Sequence, residues 1–322
     1  MSYSESDKQN GRFPLFEAEL IVGALTIMEP DWRQIEHEDL GLSVRSAHFL
    51  GEGWNSRAYI VNDDLVFRFP KRLDHWEELE REVTFLAFAA DLLPLAVPRY
   101  MRIAPDSPAS AYGYAVYRYL HGHAMNVNAL AREKRAAAAE VIGAFLRALH
   151  SFQPGPEVRR LLPREDERMV AEEYFTRAER EIAPKLRPLE ASALIKQFEI
   201  YLSAPENFLF RPAVLHADLS RDHILVENDS VTAVIDFGDV NCGDPDYDFM
   251  YLFVDFGQAF AEEVARRYGH RDLERLMSKL LYFGLVDQIG TILDGKGLAL
   301  KGQEDEAWLR LKRLLRRCPS GA

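Results

Sequence analysis

The segment VLHADLSRDHILVENDSVTAVIDFGDVNCGDPDYDF (214–249) does most to decide the fold and the chemistry of this 322-residue chain. Its first part, up to Phe237, is rich in β-branched and apolar residues and predicts short strands within an otherwise helical region. Asp218 lies early in this part, and Asp236 directly follows its last apolar run. A strand end gives Asp236 a fixed position, and the glycine after Phe237 permits a tight turn. Two carboxylates in such apolar surroundings have no evident structural purpose, which indicates a functional site.

Upstream of this segment, residues Ser43–Lys71 alternate like antiparallel strands around two turns. We predict a first strand that ends near Leu50, a second over Ala58–Asn62 and a third over Leu65–Phe69. The residues Asn62-Asp63-Asp64 supply the turn of the second hairpin.

A helix is predicted over Trp76–Ala90, where helix-forming residues carry an apolar stripe and two prolines follow. Two further strands are predicted over Arg99–Ile103 and Tyr112–Tyr119. Five strands and one main helix make a small mixed lobe, which we place at residues 1–117. A helix-like apolar spacing also covers Phe13–Arg33.

After a hinge at residues 118–123, the chain becomes mainly helical, and residues 124–322 are predicted to form a second lobe. Amphipathic helices continue from Tyr247 to Leu315. Glycine breaks are predicted in this region, at Gly269, Gly284 and Gly295. The predicted fold class is therefore α+β, with a small five-stranded antiparallel lobe and a larger, mostly α lobe.

The composition is that of an ordinary globular protein, with 48% hydrophobic residues and no apolar run near the roughly 20 residues that a membrane helix needs. The polar start of the chain lacks the order of a signal peptide, so we expect a cytoplasmic protein with no membrane partner. The net charge of −12 disfavours nucleic acid as a partner, because phosphate backbones need a basic surface. Cys242 and Cys318 offer neither a disulfide framework nor a metal-ligand spacing, and we expect reduced thiols.

The two aspartates fit the requirements of phosphoryl transfer from a nucleotide to an alcohol. That reaction needs one carboxylate that orients or deprotonates the attacking hydroxyl, and further ligands that hold magnesium on the nucleotide phosphates. Asp218 suits the first role and Asp236 the second. For two other polar residues we expect structural roles: His216 should orient the loop, and Asp248 should bond the backbone of that loop from a helix start.

The pattern His216-x-Asp218-x(4)-His223 resembles the catalytic loop of aminoglycoside and macrolide phosphotransferases, and Asp236-Phe237-Gly238-Asp239 followed by Asp244-Pro245-x-x-Asp248 resembles their metal loop. The resemblance is closest to the aminoglycoside 2''-phosphotransferases, which also tend to carry histidine where most relatives have a metal-binding asparagine. It implies a bilobal protein-kinase-like fold, with Asp218 as the catalytic residue and Mg²⁺ at Asp236 and His223. Histidine is softer than the oxygen ligands that magnesium prefers, so His223 has a second interpretation, in which it holds the loop by hydrogen bonding.

The resemblance also implies a nucleotide site, for ATP or GTP, between the two lobes. The turn Gly51–Ser56 lies where the family covers the phosphates, although two glycines in a turn indicate by themselves only a hairpin. The expected phosphate contacts in this turn are Gly51, Gly53, Asn55 and Ser56. Arg68 stands where the family has a lysine that contacts the phosphates, and Glu82 matches the helix partner of that lysine. Tyr119 and Leu120 match the hinge that binds the purine base.

The acceptor is expected to bind to the helical segments around Glu165–Tyr174 and after Tyr247. The acids assigned to it are Asp255, Glu262 and Asp287. Acids on a helix face are usually solvated, so each single assignment has a surface alternative. Together with the acidic net charge they favour a cationic aminoglycoside, because carboxylates in a cleft attract and orient ammonium groups.

The leading hypothesis is a Mg²⁺-dependent kinase that uses ATP or GTP to phosphorylate an aminoglycoside hydroxyl, which gives antibiotic resistance by inactivation. An alternative with the same chemistry is a kinase for a macrolide or another small alcohol, because a fold does not fix the acceptor. An alternative without catalysis is an impaired nucleotide-binding module, suggested by Arg68 and His223. No obligate protein partner is expected.

Overall fold

The computed structural model describes residues 29–38, 41–294 and 302–318, which form two lobes. The strands of the first lobe are β1 (Ala47–Glu52), β2 (Ser56–Val61), β3 (Leu65–Pro70), β4 (Tyr100–Ala104) and β5 (Tyr114–Arg118). They pair antiparallel in one sheet, in the order β1-β2-β3-β5-β4. Helix α1 (Trp32–Glu38) precedes the sheet, and helix α2 (Leu73–Ala89) connects β3 to β4. The predicted five-stranded antiparallel lobe with one main helix is confirmed.

The hairpin between β2 and β3 turns at Asn62 and Asp63, whose φ angles of 55° and 60° lie in the left-handed region. Two central residues at positive φ match the right-handed twist of the strands, and Asn and Asp adopt this conformation more readily than most residues. The Asn62 side chain also accepts from the amides of Arg45 and Ser46. The turn predicted from the sequence is therefore confirmed.

Alternation along β3 gives the first sheet two different faces. Phe67 and Phe69 lie on one face, in a core that Trp32 and Ile35 of α1 complete. Arg68, between the two phenylalanines, points to the opposite face and contacts α2, as the two-residue period of a strand requires. The apolar face thus anchors α1, and the other face carries a buried cation.

The second lobe is mostly helical, as predicted. Its helices are α3 (Arg132–Ser151), α4 (Pro156–Leu161), α5 (Glu167–Arg177), α6 (Pro188–Ser203), α7 (Met250–Phe256), α8 (Gln258–Tyr268), α9 (Leu273–Asp294) and α10 (Gln303–Leu315). Its short strands are β6 (His123–Ala124), β7 (Ala213–Leu215), β8 (Ile224–Glu227), β9 (Ser230–Val234) and β10 (Asn241–Gly243). Strands β6, β8 and β9 form one antiparallel sheet, and β7 pairs with β10. These short strands place the loops between β7 and β8 and between β9 and β10 side by side.

The predicted glycine breaks have different outcomes. Gly269 ends α8 with a φ of 94°, which is the left-handed conformation common after a helix. The predicted break at Gly284 is wrong, because α9 continues through it. A β-carbon at Gly284 would lie 3.1 Å from Val254 Cγ2, so the missing side chain allows α9 to pack closely against α7. Gly295, and residues 13–28 of the predicted first helix, lie outside the described residues.

In the described part of the chain, one helix is long and apolar enough to cross a membrane by length and composition. It is the Leu273–Leu293 stretch of α9, and 61% of that stretch is buried inside the protein. Such burial is typical of a core helix that is apolar on most of its surface.

Lys279 of α9 is 1% exposed, and its ammonium group contacts two carboxylates of the turn after β10. It donates to Asp244 and, at 2.5 Å, to Asp246 Oδ2. Asp246 Oδ1 also lies 3.0 Å from His270 Nε2. A buried charge is tolerated only when partners compensate it, so this cluster fixes α9 against the turn.

Replacing Lys279 by alanine should leave Asp244 buried without its cation. We expect the Lys279→Ala variant to lose about 3–5 kcal/mol in the free energy of unfolding. Lys134 gives a matched control, because it is an exposed lysine of helix α3. Lys134→Ala should change the same quantity by less than about 0.5 kcal/mol. Urea denaturation followed by circular dichroism measures both variants, and equally small losses would contradict the role of Lys279.

Candidate active site

The buried carboxylate of Asp248 holds the loop that carries Asp218. Its Oδ2 accepts from the amide of His216 at 2.9 Å, and its Oδ1 accepts from the amide of Ala217 at 2.8 Å. His150 Nε2 lies 3.0 Å from the same Oδ2. Ala217 has a φ of 66°, a left-handed conformation that costs about 1–3 kcal/mol for a residue with a β-carbon. The hydrogen bonds from these two amides stabilise the strained turn. The structural role predicted for Asp248 is confirmed.

His216 is fully buried and uses both ring nitrogens within the loop. Its Nε2 donates to the Ile235 carbonyl at 3.1 Å, and its Nδ1 accepts from the amide of Asp218 at 3.2 Å. Burial lowers the pKa of His216 to about 4, so the ring is neutral at pH 7, as these bonds require. The predicted loop-orienting role is confirmed, because His216 ties the Asp218 loop to the residue before Asp236.

Asp218 lines a cleft of about 530 Å³. Burial raises the pKa of Asp218 to about 7; His223 opposes this shift, whereas the carboxylates of Asp239 and Asp236 add to it. The Asp218 carboxylate therefore gains and loses its proton near neutral pH. A general base is most effective when its pKa lies in that range.

His223 lies between the two predicted functional aspartates. Its Nδ1 lies 2.8 Å from the Asp218 carbonyl oxygen, and its Nε2 lies 3.6 Å from Asp236 Oδ2. A carbonyl oxygen can only accept, so Nδ1 carries a proton and donates it. In the neutral ring, Nε2 then presents a lone pair toward Asp236. Burial lowers the pKa of His223, but the two aspartates outweigh burial and raise it. The raised pKa favours the protonated ring, in which Nδ1 holds the loop and Nε2 directs its proton toward Asp236. Nε2 can bind a cation only after it loses that proton.

Asp236 follows β9 and has a φ of 64°, so a second left-handed residue with a β-carbon lies at this site. Its Oδ1 accepts from Arg68 Nη2 at 3.0 Å. Burial acts to raise the pKa of Asp236, but Arg68, and then His223, outweigh burial and lower it to about 2. Asp236 is therefore ionised at pH 7. The opposite shifts of Asp218 and Asp236 separate a proton acceptor from a permanent anion.

Arg68 connects Asp236 to the first lobe. Its Nη1 donates to Glu82 Oε2 at 2.5 Å, and its Nη2 and Nε donate to Ser56 Oγ at 3.2 and 3.3 Å. Glu82 is 0% exposed and also accepts from the Tyr100 hydroxyl at 2.9 Å. The predicted pairing of Arg68 with Glu82 is confirmed. The planar guanidinium group makes these contacts at once, which an ammonium group in one position does not.

The turn between β1 and β2 carries the predicted phosphate contacts Gly51, Gly53, Asn55 and Ser56. A β-carbon added at Gly51 or Gly53 would meet no atom within 4 Å, so both glycines face open space. Lys71 holds the turn from behind. Its Nζ donates to the Gly53 carbonyl at 2.5 Å, and its amide donates to the Asn55 carbonyl at 3.0 Å. Lys71 therefore fixes the backbone of the turn, while Gly51 and Gly53 still face open space.

The predicted hinge lies between β5 and β6. The amide of Tyr119 donates to the Asp64 carbonyl at 2.7 Å, so that N–H group is already used within the protein. The Tyr119 ring packs edge-on against His121, with ring centroids 4.8 Å apart. Leu120 is half-buried. Of the two hinge residues, Leu120 is therefore the one whose backbone amide remains a candidate for a hydrogen bond to the purine base.

The cleft that contains Asp218 is lined mainly by the second lobe. The other carboxylates in its lining are Glu165, Glu167, Asp239, Asp244 and Asp287. The aromatic side chains in its lining are Trp54, Tyr174, Tyr201, Tyr247, Tyr251, Tyr282 and Phe283. Arg81 is the cationic residue of this lining, and Lys279 compensates Asp244 from the core. The cleft therefore combines an excess of negative charge with an aromatic wall.

Sequence reasoning found part of this lining and missed the rest. The segment Glu165–Tyr174 was predicted to bind the acceptor, and five of its residues line the cleft. Trp54, Tyr201 and Tyr282 were missed. Tyr201 and Tyr282 stack with centroids 3.5 Å apart although they belong to α6 and α9, and no local pattern announces such a contact. Trp54 had a usable signal, because it lies in the glycine-containing turn.

Of the three acids predicted to bind the acceptor, Asp287 lines the cleft. It accepts from the Tyr251 hydroxyl at 2.8 Å. Burial raises the pKa of Asp287 to about 6, despite the bond from Tyr251 and the nearby charge of Arg310. Asp287 is therefore a carboxylate whose charge depends on pH within the physiological range.

Asp255 and Glu262 do not line this cleft, which corrects their assignment to the acceptor. Asp255 accepts from the amide of Arg221 at 3.1 Å and pairs with Arg310 at 3.5 Å. Glu262 pairs with Arg266 one turn along α8 at 2.8 Å. Both acids are therefore paired within the protein.

The side chains near Asp236 offer few donors to a magnesium ion. In the ranges that the structure describes, no group of three or more His, Cys, Asp or Glu side chains is arranged to hold a metal ion. Asp236 and His223 supply two donor atoms that face each other. Magnesium at nucleotide sites takes one or two carboxylates and completes its shell with phosphate oxygens and water. The ionised Asp236 fits that requirement once a nucleotide is bound.

The model of the phosphotransferase enzyme family (APH) matches residues 46–282 of the chain. A solved GDP and kanamycin complex of APH(2'')-IIIa is 27% identical with a TM-score of 0.82, and the alignment covers 89% of this chain and 98% of that chain. The macrolide 2'-phosphotransferase MphH from Brachybacterium faecium is 21% identical with a TM-score of 0.67, and the alignment covers 87% and 97% of the two chains. This second similarity concerns the fold alone. The predicted two-lobed, protein-kinase-like fold is confirmed by these comparisons.

Removing the Arg68 side chain should leave the buried carboxyl group of Glu82 without its cation. We expect Arg68→Ala to lower the free energy of unfolding by about 3–5 kcal/mol, and Arg68→Lys to lower it by a smaller amount, because one ammonium group keeps the charge. Arg118→Ala is a matched control on the same sheet. Arg118 forms an exposed ion pair with Asp64, and such a pair contributes at most about 1 kcal/mol to the free energy of unfolding. Urea denaturation of the three variants decides the matter. Equal stability of wild type and Arg68→Ala would exclude this pair as a structural link.

Proposed function

Because this chain belongs to the phosphotransferase enzyme family, we propose that it is a kinase that moves the γ-phosphoryl group of ATP or GTP to a hydroxyl of a cationic small molecule, with an aminoglycoside as the preferred acceptor. The observation that carries this proposal is the position of Asp218 in an acidic cleft, linked through His223 to the ionised Asp236. One carboxylate faces the space for an acceptor, and the other adjoins the cation of the first lobe. That is the arrangement that phosphoryl transfer needs.

In this proposal, Asp218 is the catalytic residue. Its carboxylate accepts a hydrogen bond from the acceptor hydroxyl, orients the oxygen toward the γ-phosphorus and takes up the proton as the new bond forms. The raised pKa of Asp218, about 7, keeps it basic enough for this transfer. The bonds of Asp248 and His216 to the loop hold this carboxylate in place.

Asp236 and His223 would hold Mg²⁺, which neutralises charge on the nucleotide phosphates when it is bound. Arg68 already donates to Asp236 and Ser56, and from that position it would bind the phosphates in place of the lysine that the family uses. The open turn with Gly51 and Gly53 would cover those phosphates with its amides. Leu120 would contribute the hinge contact to the purine.

The excess of carboxylates in the cleft supports a cationic acceptor. Asp239, Glu167 and Asp287 all have raised pKa values because of burial, so a bound ammonium group would favour their ionised forms. Phosphorylation would add negative charge to such an acceptor. We infer that the biological consequence is antibiotic resistance by inactivation. The APH(2'')-IIIa structure is a complex with kanamycin, which agrees with this class of acceptor.

The aromatic wall of the cleft supports a second candidate, a macrolide or another acceptor with a large apolar face. Tyr247, Tyr251 and Tyr282 give that wall a surface suited to ring packing. The carboxylates favour the aminoglycoside over this second candidate, because burying them against a mostly apolar ligand would leave several acids without a cation.

A turnover panel tests the proposed function. Wild type and Asp218→Asn are assayed for nucleotide turnover and for ³²P transfer to kanamycin, gentamicin, streptomycin and erythromycin, each with ATP and with GTP. We expect transfer to at least one aminoglycoside, and a loss of at least about 10²-fold in Asp218→Asn with nucleotide binding retained. Transfer to erythromycin alone would mean that the acceptor is a macrolide and not an aminoglycoside. No transfer to any of the four, together with intact nucleotide binding, would favour an impaired nucleotide-binding module.

The charge of Asp287 gives acceptor binding a pH dependence of known sign. Because its pKa is raised to about 6, Asp287 is mostly neutral below pH 6 and attracts a cationic acceptor above it. The groups around it are Tyr251, Asp255 and Arg310. At pH 7.5 we expect Asp287→Asn to bind the aminoglycoside about five- to tenfold more weakly than wild type. At pH 5 the two affinities should converge. Isothermal titration calorimetry measures both constants, and a ratio that stays unchanged between these pH values would exclude Asp287 as an acceptor contact.

A further inference from the structure

The first lobe contributes an aromatic residue to the cleft that holds Asp218. Trp54 lies at the tip of the β1–β2 turn and lines this cleft together with Tyr247 and Tyr251 of the second lobe. The turn to which it belongs was assigned to the nucleotide alone. The same short turn therefore reaches both the predicted phosphate site and the cleft.

The turn is built to hold Trp54 in place from outside. Lys71 pairs with Glu52 at 2.6 Å and donates to the carbonyls of Gly53 and Asn55, the two residues that flank Trp54. Arg57 adds a second ion pair to Glu52 at 3.3 Å. Three contacts from Lys71 to three residues of one turn fix its backbone, although two glycines would otherwise leave it free.

The turn is also held from the inside. Ser56 Oγ accepts from two guanidinium nitrogens of Arg68, and Arg68 bonds Asp236. Trp54 is thus two residues from a direct contact to the cation that joins the lobes. The turn that carries the half-buried Trp54 is thus held from both sides.

We propose that Trp54 is an acceptor-binding residue, and that its indole packs on a cationic ring of the acceptor opposite Tyr247 and Tyr251. This assignment rests on the proposed kinase function and deepens it, because it places an acceptor contact on the nucleotide turn. The face of an indole attracts an ammonium group, and Trp binds cations more strongly than other aromatic residues. With Asp218 and Asp287 in the same cleft, an aminocyclitol ring would meet carboxylates at its edge and aromatic faces above and below.

The proposal has a direct kinetic test in the full-length protein. Trp54→Ala, Trp54→Phe and Phe49→Ala are compared with wild type for the KM of kanamycin at saturating nucleotide. The Kd values of GDP and ADP are measured for each protein by calorimetry. Phe49 is the matched control, because it is a 57% exposed aromatic residue of β1 outside the cleft lining. We expect a roughly tenfold higher kanamycin KM in Trp54→Ala, a smaller increase in Trp54→Phe and no change in Phe49→Ala. The nucleotide Kd values should stay within about twofold of wild type.

Two results would overturn the assignment of Trp54. An unchanged kanamycin KM in Trp54→Ala would mean that the indole does not touch the acceptor, and a faster nucleotide hydrolysis without acceptor would then assign it to the exclusion of water. A parallel weakening of GDP and ADP binding would show that Trp54 only shapes the nucleotide turn. If the wild type phosphorylates gentamicin or streptomycin but not kanamycin, the KM of that aminoglycoside is measured instead. Failure of the wild type to phosphorylate any of the three would overturn the aminoglycoside acceptor itself, and this outcome is visible before any Trp54 variant is measured.

Discussion

The structure depends on one carboxylate, that of Asp248. It accepts from the amides of His216 and Ala217 and lies beside His150, and it is 2% exposed. Burial acts to raise its pKa, but the bonds from His150 and the backbone outweigh burial and lower it, so the group stays ionised. An ionised acceptor makes stronger hydrogen bonds to amides than a neutral one, which offsets the left-handed conformation of Ala217. Asp218 is the residue after Ala217, so the bonds that fix Ala217 also fix the position of Asp218.

The electrostatics of the site follow from a second buried charge, Arg68. It satisfies Glu82 in the first lobe and Asp236 in the second, so one guanidinium group compensates two carboxylates across the lobes. Asp236 is thereby kept ionised, whereas Asp218, without a cation of its own apart from His223, has a pKa near 7. Groups of the same chemical type acquire different roles from their surroundings. The guanidinium group of Arg68 bonds Glu82, Asp236 and Ser56 at the same time.

The sequence predicted those features that depend on neighbours in the chain. The strands and the turn at Asn62 and Asp63, the loop around His216 and the pairing of Arg68 with Glu82 were all anticipated, the last through the family resemblance. The features that were wrong or missed depend on contacts between distant elements. Gly284 does not break α9 because Val254 packs where its side chain would be. Asp255 and Glu262 were assigned to the acceptor from their charge, but a period of 3.6 residues does not tell which neighbour a helix face meets. The buried charge of Lys279 is compensated by Asp246 and Asp244, which lie 33 and 35 residues away in the chain. The residues next to Lys279 in sequence do not indicate this contact.

These observations imply a division of labour between the turn Asp244–Asp248 and helix α9. The last residue of that turn fixes the Asp218 loop, and its first residue fixes α9 through Lys279. Residues of α9 beyond Lys279, among them Tyr282 and Asp287, line the cleft that holds Asp218 without contributing to the bonds that fix the Asp218 loop. Substitutions there can change the shape and charge of the cleft while Asp218 and Asp236 stay in position. The chain is 27% identical to APH(2'')-IIIa at a TM-score of 0.82, so the same fold is formed although most residues differ. In the proposed function, the choice of acceptor would therefore be a property of α9, α5 and the Trp54 turn, and it could diverge independently of the chemistry proposed for Asp218 and Asp236.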